Sequence, residues 1–187
     1  MGSVETQKKI AFVGTSCVGK TTIIDYYQKK YDDNPKLVLV PEAAREYFLA
    51  HPEIPTEHRF GVGPQGEIQQ LALQNEKTAM ESGAEVVMCD RSVLDAVAYV
   101  RGHGDKVGSA QLLNRVESWL PTYFSILLLD PADVPYQIDD IRQESPGVRL
   151  RNHEAFLEVF MQARVKHELL SGTLEERIQK VDAILQF

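Results

Sequence analysis

The feature that most constrains the fold is a glycine-rich loop between two apolar segments. Residues 14–21 read GTSCVGKT and satisfy the Walker A pattern G-x-x-x-x-G-K-[ST]. A short strand-like run, residues 9–13, precedes this loop, and apolar residues at helical spacing follow it in residues 21–31. Glycines let the backbone curl with its N–H groups pointing inward, and the helix adds the positive end of its dipole. The pattern therefore predicts a loop (the P-loop) that binds phosphate groups.

The side chains of the P-loop indicate what they would bind. Lys20 places a cation near the β- and γ-phosphates of a nucleotide, where it would also serve catalysis. The hydroxyl group of Thr21 is a suitable ligand for Mg²⁺, which prefers oxygen ligands. We expect the phosphates to contact the loop and the first residues of its helix: Gly14, Thr15, Ser16, Cys17, Val18, Gly19, Lys20, Thr21 and Thr22.

Strand-like and helix-like segments alternate along the rest of the chain. This alternation predicts a three-layer α/β fold of the P-loop NTPase type, with a mostly parallel five-stranded sheet. Its strands are expected at 9–13, 37–40, 85–90, 124–130 and 177–181, and its helices at 21–31, 42–50, 67–82, 93–100, 110–120 and 153–172. The Pro- and Gly-rich segment 51–66 is predicted to be a loop, as is the polar segment 102–109. Within the first of these, residues 61–66 match G-x-G-x-x-G, but no strand precedes them, so we interpret them as a loop near the substrate.

Size and composition limit the class of protein. The 187 residues fit one domain, in which we expect a flexible tail over residues 1–8 and a lid over residues 136–152. The net charge of −7 disfavours general nucleic-acid binding, and no apolar run is long enough to span a membrane. The two cysteines, Cys17 and Cys89, form no disulfide framework, which is typical of a cytosolic protein. Nothing in the sequence indicates the oligomeric state.

Three classes of P-loop protein compete: small-molecule kinases, GTPase switches, and ATPase motors or binding modules. The Asn-Lys-x-Asp stretch that reads guanine is missing from the sequence. In ATPase motors the corresponding strand usually ends in Asp-Glu, and the Glu activates water. Here the third strand ends in Asp90-Arg91, and an arginine cannot take a proton from water. These residues favour a phosphotransferase with a donor and an acceptor. The alternative is a nucleotide-binding module with slow or no turnover.

Charged residues follow the second and third predicted strands, at the edge where open α/β sheets bind ligands. Glu42 is a candidate general base, and Arg45, on the same helical face, would hold the substrate or steady Glu42. Asp90 would organise Mg²⁺ or bind substrate hydroxyl groups, and Arg91 would bind the acceptor. The alternative for both acidic residues is an ordinary charge at the start of a helix.

Three arginines follow the fourth strand, and a lid arginine can stabilise the negative charge of a transferring phosphoryl group. We expect Arg142 and Arg149, rather than Arg151, to act in this way, the alternative being a solvated charged loop.

The segments GTSCVGKT, PEAAREYF, CDRS and DDIRQESPGVR occur in the order and rough spacing of the P-loop kinase family. Within that family, nearly the whole chain resembles the ribosylnicotinamide kinase-like ATPase/kinase domains and, more distantly, the deoxynucleoside kinases. The resemblance implies ATP with Mg²⁺ as the donor and a small nucleoside or nucleotide-like acceptor. It also implies a catalytic carboxylate at Glu42, an Asp90-Arg91 pair, and lid arginines at Arg142 and Arg149. The family more often has Asp-Gly-x-Arg where this chain has Asp139-Asp140-Ile141-Arg142.

Overall fold

The computed structural model describes residues 7–32, 34–135 and 146–185 of the chain. Within these residues, five parallel strands form one sheet in the order β2-β3-β1-β4-β5. The strands are β1 Lys8–Val13, β2 Leu37–Val40, β3 Val86–Asp90, β4 Ser125–Leu129 and β5 Glu168–Leu170. The predicted fold class is confirmed, and the sheet is parallel throughout its described strands.

Helices cover both faces of the sheet. Those in the described residues are α1 Lys20–Lys30, α2 Ala43–Ala50, α3 Val62–Met80, α4 Val93–Gly102, α5 Lys106–Val116, α6 Pro146–Ala163 and α7 Leu174–Leu185. Short 3₁₀ turns occupy Thr56–His58, Glu117–Thr122 and Pro131–Asp133. None of the described helices is both long enough and apolar enough to cross a membrane.

The alternation of side chains along β1 explains the three layers. Ala11 and Val13 point to a core shared with α4, α5 and α6, whereas Ile10 and Phe12 point to a core shared with α1 and α7. All four are fully buried, because β1 is the central strand and is covered on both faces.

The register of the sheet brings the predicted site residues to one edge. Phe12 in β1 pairs with Asp90 in β3, and Val40 in β2 pairs with Cys89. The P-loop follows β1, and Glu42 follows β2 by two residues. The residues at the carboxyl ends of β1, β2 and β3 therefore lie together at one edge of the sheet, where open α/β sheets bind ligands.

Two predicted loops were too long. Helix α3 begins at Val62, so the second glycine pattern, residues 61–66, lies in the first turns of a helix and not in a loop near the substrate. Pro64 is tolerated there because the first turn does not use its own N–H groups. Helix α5 begins at Lys106, where the side chain of Asp105 accepts a hydrogen bond from the N–H of Gly108 at 2.7 Å.

The prediction of the fifth strand was wrong. Strand β5 lies at Glu168–Leu170, inside the predicted helix 153–172, and the predicted strand 177–181 is part of α7. Buried residues in α7 recur every four positions, at Arg177, Val181 and Leu185, which is a helical period.

The predicted tail and lid are only partly within the described residues. Lys8, which we placed in the tail, is the first residue of β1, and its ammonium group donates to the carbonyl oxygens of Ile184 (3.2 Å) and Leu185 (2.7 Å) at the end of α7. Residues 146–152 of the predicted lid form the start of α6, whereas residues 136–145, including Arg142, lie outside the described residues.

Candidate nucleotide-binding site

The P-loop joins β1 to α1 in a conformation that its glycines allow. Gly14 has φ +139° and Gly19 has φ +93°, in the left-handed region that side chains disfavour. A Cβ atom on Gly14 would also lie 3.2 Å from the carbonyl oxygen of Leu129 in β4. Cys17 adopts φ +57° as well, although it carries a side chain. The tight bend after β1 therefore depends on the positions of the two glycines.

The amino-terminal end of α1 is arranged to receive an anion. Its N-cap residue, Gly19, has no side chain to cap the first N–H groups, and the first turn contains no acidic residue. Thr21 is half-buried in this turn and Thr22 is exposed. Unpaired N–H groups at the positive end of a helix dipole bind phosphate well.

Lys20 lies inside the P-loop. Its ammonium nitrogen donates to the carbonyl oxygens of Gly14 at 2.9 Å and Thr15 at 2.6 Å. Burial, together with repulsion from Arg91, lowers the pKa of Lys20 to about 7. Lys20 is therefore only partly protonated near neutral pH, and a bound anion would favour its charged form.

Glu42 and Arg91 form a close ion pair beside the P-loop. The guanidinium Nε of Arg91 lies 2.6 Å from a carboxylate oxygen of Glu42, and the two side chains are only 15 % and 18 % exposed. Burial would raise the pKa of Glu42, but the charges of Arg91 and Lys20 outweigh it and hold the pKa at about 2. Arg45 is more distant, at 3.8 Å, and its side chain is 58 % exposed. Arg91, and not Arg45, is therefore the close partner of Glu42.

Arg91 is anchored by residues that the sequence analysis did not identify. Its Nη1 donates to Asp95 at 3.0 Å, to the hydroxyl of Tyr99 at 3.2 Å and to the carbonyl of Gly14 at 3.4 Å. Asp95 and Tyr99 lie four and eight residues after Arg91, so the helical spacing of α4 is the signal that indicates them. Asp95 also forms a capping box with Ser92 at the start of α4.

Asp90 ends β3 next to the P-loop strand. Its Oδ1 is buried and has no hydrogen-bond partner among the described residues, and burial raises the pKa of its carboxyl group despite the nearby charges of Arg91 and Lys20. A buried carboxylate oxygen of this kind fits the hydration shell of Mg²⁺, which keeps several waters. Asp90 and the hydroxyl of Thr21 are the residues that would hold the ion. No cluster of three His, Cys, Asp or Glu side chains suited to a metal ion occurs in the described part of the chain.

Two carboxyl-terminal helices each place an arginine against the P-loop. Arg149, in the first turn of α6, is buried and donates from Nη2 to the carbonyl oxygens of Cys17 at 3.2 Å and Val134 at 3.0 Å. Arg151 is exposed. Arg177 of α7, which we had assigned to a strand, donates from Nη1 to the carbonyl of Val18 at 2.6 Å.

Comparisons with known proteins agree with this architecture. Two solved structures, of NadR protein in complex with NAD and AMP-PNP and in complex with NR, match with a TM-score of 0.74. Their sequences are 18 % and 17 % identical to this chain, and each match covers 97 % of it, which shows a shared fold. The chain spans 49 % of the length of those structures, or about half. No curated protein matches the sequence.

A family model supplies the assignment. The model described as an AAA domain matches residues 9–177, which include the P-loop, Glu42, Asp90 and the two carboxyl-terminal arginines. The chain therefore belongs to this family of AAA domains, built on the P-loop fold.

Proposed function

We propose that the protein is an ATP-dependent phosphotransferase acting on a small nucleoside or nucleotide-like acceptor. The observation that carries the proposal is the Glu42–Arg91 ion pair at 2.6 Å, which reaches the P-loop through Arg91 and the carbonyl of Gly14. A carboxylate beside a phosphate loop accepts the proton of an attacking hydroxyl group in phosphoryl transfer. The bound molecules named for the NadR structures, AMP-PNP and NR, support a nucleotide donor and an acceptor of this size.

In this proposal the P-loop and α1 hold the donor. The loop N–H groups and Lys20 bind the β- and γ-phosphates, and Thr21 and Asp90 hold Mg²⁺, which neutralises phosphate charge when bound. Arg149 donates to the carbonyl of Cys17 on the outside of the P-loop, and it turns toward the phosphates to stabilise the transferring group together with Arg142. Arg45 lies at the exposed side of Glu42 and contacts the acceptor.

Glu42 acts on the acceptor in two stages. With a pKa of about 2 it is ionised at neutral pH and accepts a hydrogen bond from the acceptor hydroxyl. Its basicity rises when Arg91 turns from the carboxylate toward the acceptor or the phosphate, because the charge of Arg91 is the largest of the causes that lower the pKa of Glu42. If the acceptor is a phosphate, little deprotonation is needed and Glu42 only positions it.

The test of this function is acceptor-dependent formation of ADP with nucleosides, nucleotides and ribosylnicotinamide, in the wild-type protein and in Glu42→Gln. We expect kcat to fall about 10²- to 10⁴-fold in the variant, the usual contribution of a general base. The affinity for ATP, measured by calorimetry, should stay within about threefold, because Glu42 contacts the acceptor and not the donor.

The matched control is Glu46→Gln, an exposed glutamate one turn later in α2 whose described hydrogen bond is to Asn75 at 3.2 Å. It should keep wild-type turnover. Wild-type turnover in Glu42→Gln would contradict the assignment of the base.

A second candidate is an ATP-binding module with slow or no turnover. The network around Arg91 favours it, because Glu42, Asp95 and Tyr99 already bind the guanidinium that an acceptor would need. Such a module binds ATP with Mg²⁺, but no acceptor accelerates ADP formation. The acceptor screen separates the two candidates.

We also propose a cytosolic setting for the protein. Cys17 lies in the P-loop and Cys89 in the core, and the described residues contain no disulfide bond, which suits a reducing compartment.

A further inference from the structure

Arg177 is a buried arginine that the proposed reaction does not use. It is 3 % exposed and lies in the first turn of α7. Its Nη1 donates to the carbonyl of Val18 at 2.6 Å, and its Nη2 to a carboxylate oxygen of Asp133 at 3.1 Å and the carbonyl of Asp130 at 3.4 Å. Burying a guanidinium is costly unless it is paired and hydrogen-bonded. These acceptors pair Nη1 and Nη2, whereas the buried Nε has no hydrogen-bond partner among the described residues.

The contact with Val18 orients one peptide unit of the P-loop. The described chain contains no cis peptide bond, so the C=O of Val18 and the N–H of Gly19 point in opposite directions. Because the C=O points at Arg177, the N–H of Gly19 points away from it. A Cβ atom on Gly19 would lie 3.3 Å from Nη1, so the guanidinium group lies directly against the outside of this bend.

Arg149 makes the same kind of contact one residue earlier, with the carbonyl of Cys17. Two consecutive carbonyl groups of the P-loop are therefore turned toward arginines of α6 and α7. The N–H groups that follow them, on Val18 and Gly19, are turned the other way. An anion nest requires successive N–H groups that converge on one point.

We propose that Arg177 is a positioning residue that orients the Val18–Gly19 peptide for binding the phosphates of a nucleotide. The inference rests on the nucleotide binding proposed above. Asp133 holds the guanidinium in place, and the same carboxylate oxygen accepts the N–H of Gly172 at 2.7 Å. The turn between β5 and α7 is thereby connected to the P-loop through one acidic side chain.

The test is calorimetric binding of ATP with Mg²⁺, and of inorganic tripolyphosphate, to wild-type protein and to Arg177→Met. We expect both affinities to fall about 10- to 100-fold, since a hydrogen bond from a charged group is lost and the loop is free to turn. In steady-state assays the KM for ATP should rise while the KM for the acceptor stays unchanged. Arg177→Lys, which keeps the charge and one donor to Val18, should recover part of the affinity and serves as the test if the methionine variant does not fold.

Asp182→Ala is the matched control. Asp182 lies on the same helix but binds the hydroxyl of Tyr27 at 2.8 Å and Lys30 at 3.0 Å, both away from the P-loop. This variant should lower the melting temperature and leave phosphate affinity within about twofold of wild type.

Wild-type phosphate affinity in both Arg177 variants, or an equal loss in Asp182→Ala, overturns the inference while the proposed function stands. Tight, Arg177-dependent binding without turnover on any acceptor overturns the kinase proposal and keeps the inference. If the wild-type protein binds neither ligand, both fail.

Discussion

Two ion pairs lie at opposite ends of β1, and they are built differently. Near the start of the strand, the ammonium of Lys9 lies 2.7 Å from the carboxylate of Glu76 in α3, and the two side chains are 0 % and 1 % exposed. Beyond its end, the Glu42–Arg91 pair is half-buried and contacts the P-loop through the carbonyl of Gly14. The comparison separates charges that the fold satisfies by itself from charges that are available to a ligand.

The Lys9–Glu76 cluster is complete. The indole N–H of Trp119 and the hydroxyl of Tyr123 donate to the two carboxylate oxygens of Glu76, at 2.7 Å and 2.6 Å. The ammonium of Lys9 lies 4.4 Å from the centroid of the Trp119 ring and 3.7 Å from that of Tyr123, in the range of cation–π contacts. This cluster joins β1, α3 and the 3₁₀ turn Glu117–Thr122, and its two charged groups are inaccessible to a substrate.

The cluster at the P-loop is incomplete. A carboxylate oxygen of Asp90 and the hydroxyl of Thr15 are both buried, and neither has a hydrogen-bond partner in the described ranges. Leaving such groups unpaired costs free energy of folding, and natural proteins accept this cost mainly at functional sites. The difference between the two clusters supports the proposed ligand site at the P-loop.

The largest expected effect is a loss of stability in the Lys9–Glu76 cluster. Glu76→Leu leaves the ammonium of Lys9 buried without its counter-ion, and we expect the free energy of unfolding to fall by about 3–5 kcal/mol. Urea denaturation followed by circular dichroism measures this loss. The double variant Lys9→Met, Glu76→Leu should recover part of it, since the unpaired charge is gone but Trp119 and Tyr123 still lack an acceptor. A loss below about 1 kcal/mol in the single variant would remove the contrast between the clusters.

Asp90→Asn should have the opposite pattern. We expect turnover with Mg²⁺ and ATP to fall about 10- to 100-fold, as for other groups that organise a metal ion. The melting temperature should stay equal or rise, because burial disfavours the ionised form of Asp90 and the amide removes that charge. A magnesium titration of activity and a thermal melt test both points, with Asp25→Asn, an exposed acid of α1, as the control. A large drop in melting temperature would indicate that Asp90, like the Lys9–Glu76 pair, mainly stabilises the fold.

The smallest effect is a dependence of ATP affinity on pH. The pKa of Lys20 is about 7 in the free protein, and a bound polyphosphate raises it, so binding takes up a proton. Affinity should therefore weaken about tenfold between pH 7.5 and pH 8.5, as the fraction of charged Lys20 falls. Calorimetry in buffers of different ionisation enthalpy measures the proton uptake. Lys20→Arg, which stays charged, should lose this dependence, and a wild-type affinity independent of pH would contradict the assignment.

The candidate site at the P-loop has a stronger signal in the sequence than the residues that hold it in place. The P-loop motif is contiguous in sequence. Asp90 is the last residue of β3 and Glu42 follows β2 by two residues, so a short stretch of sequence is enough to predict each of them. Asp95 and Tyr99 are indicated only by their helical spacing from Arg91, four and eight residues earlier. Arg177 has no such local relation, because its contact with Val18 joins positions that are 159 residues apart. A sequence without structure gives no signal for such a pairing.

The errors in the predicted fold also arise where the local sequence carries too little signal. Strand β5 has three residues, of which only Leu170 is buried, so it has too little pattern to separate from the helices around it. The start of α3 contains glycine and proline, which favoured a loop, yet Gln65 and Gly66 are buried there. A Cβ atom on Gly66 would lie 3.0 Å from the guanidinium of Arg115 and 3.6 Å from Leu112, so this glycine lies directly against α5.

The ammonium group of Lys8 has a consequence for engineering. It holds the end of α7 at the start of β1, so the two ends of the described fold meet at the rim of the sheet farthest from Gly14. A short linker between them would yield a circular permutant, with new termini opened in an exposed turn such as the one at Gly83. Fluorescent reporters fused beside Lys8 or Leu185 would likewise lie at the opposite end of β1 from the P-loop.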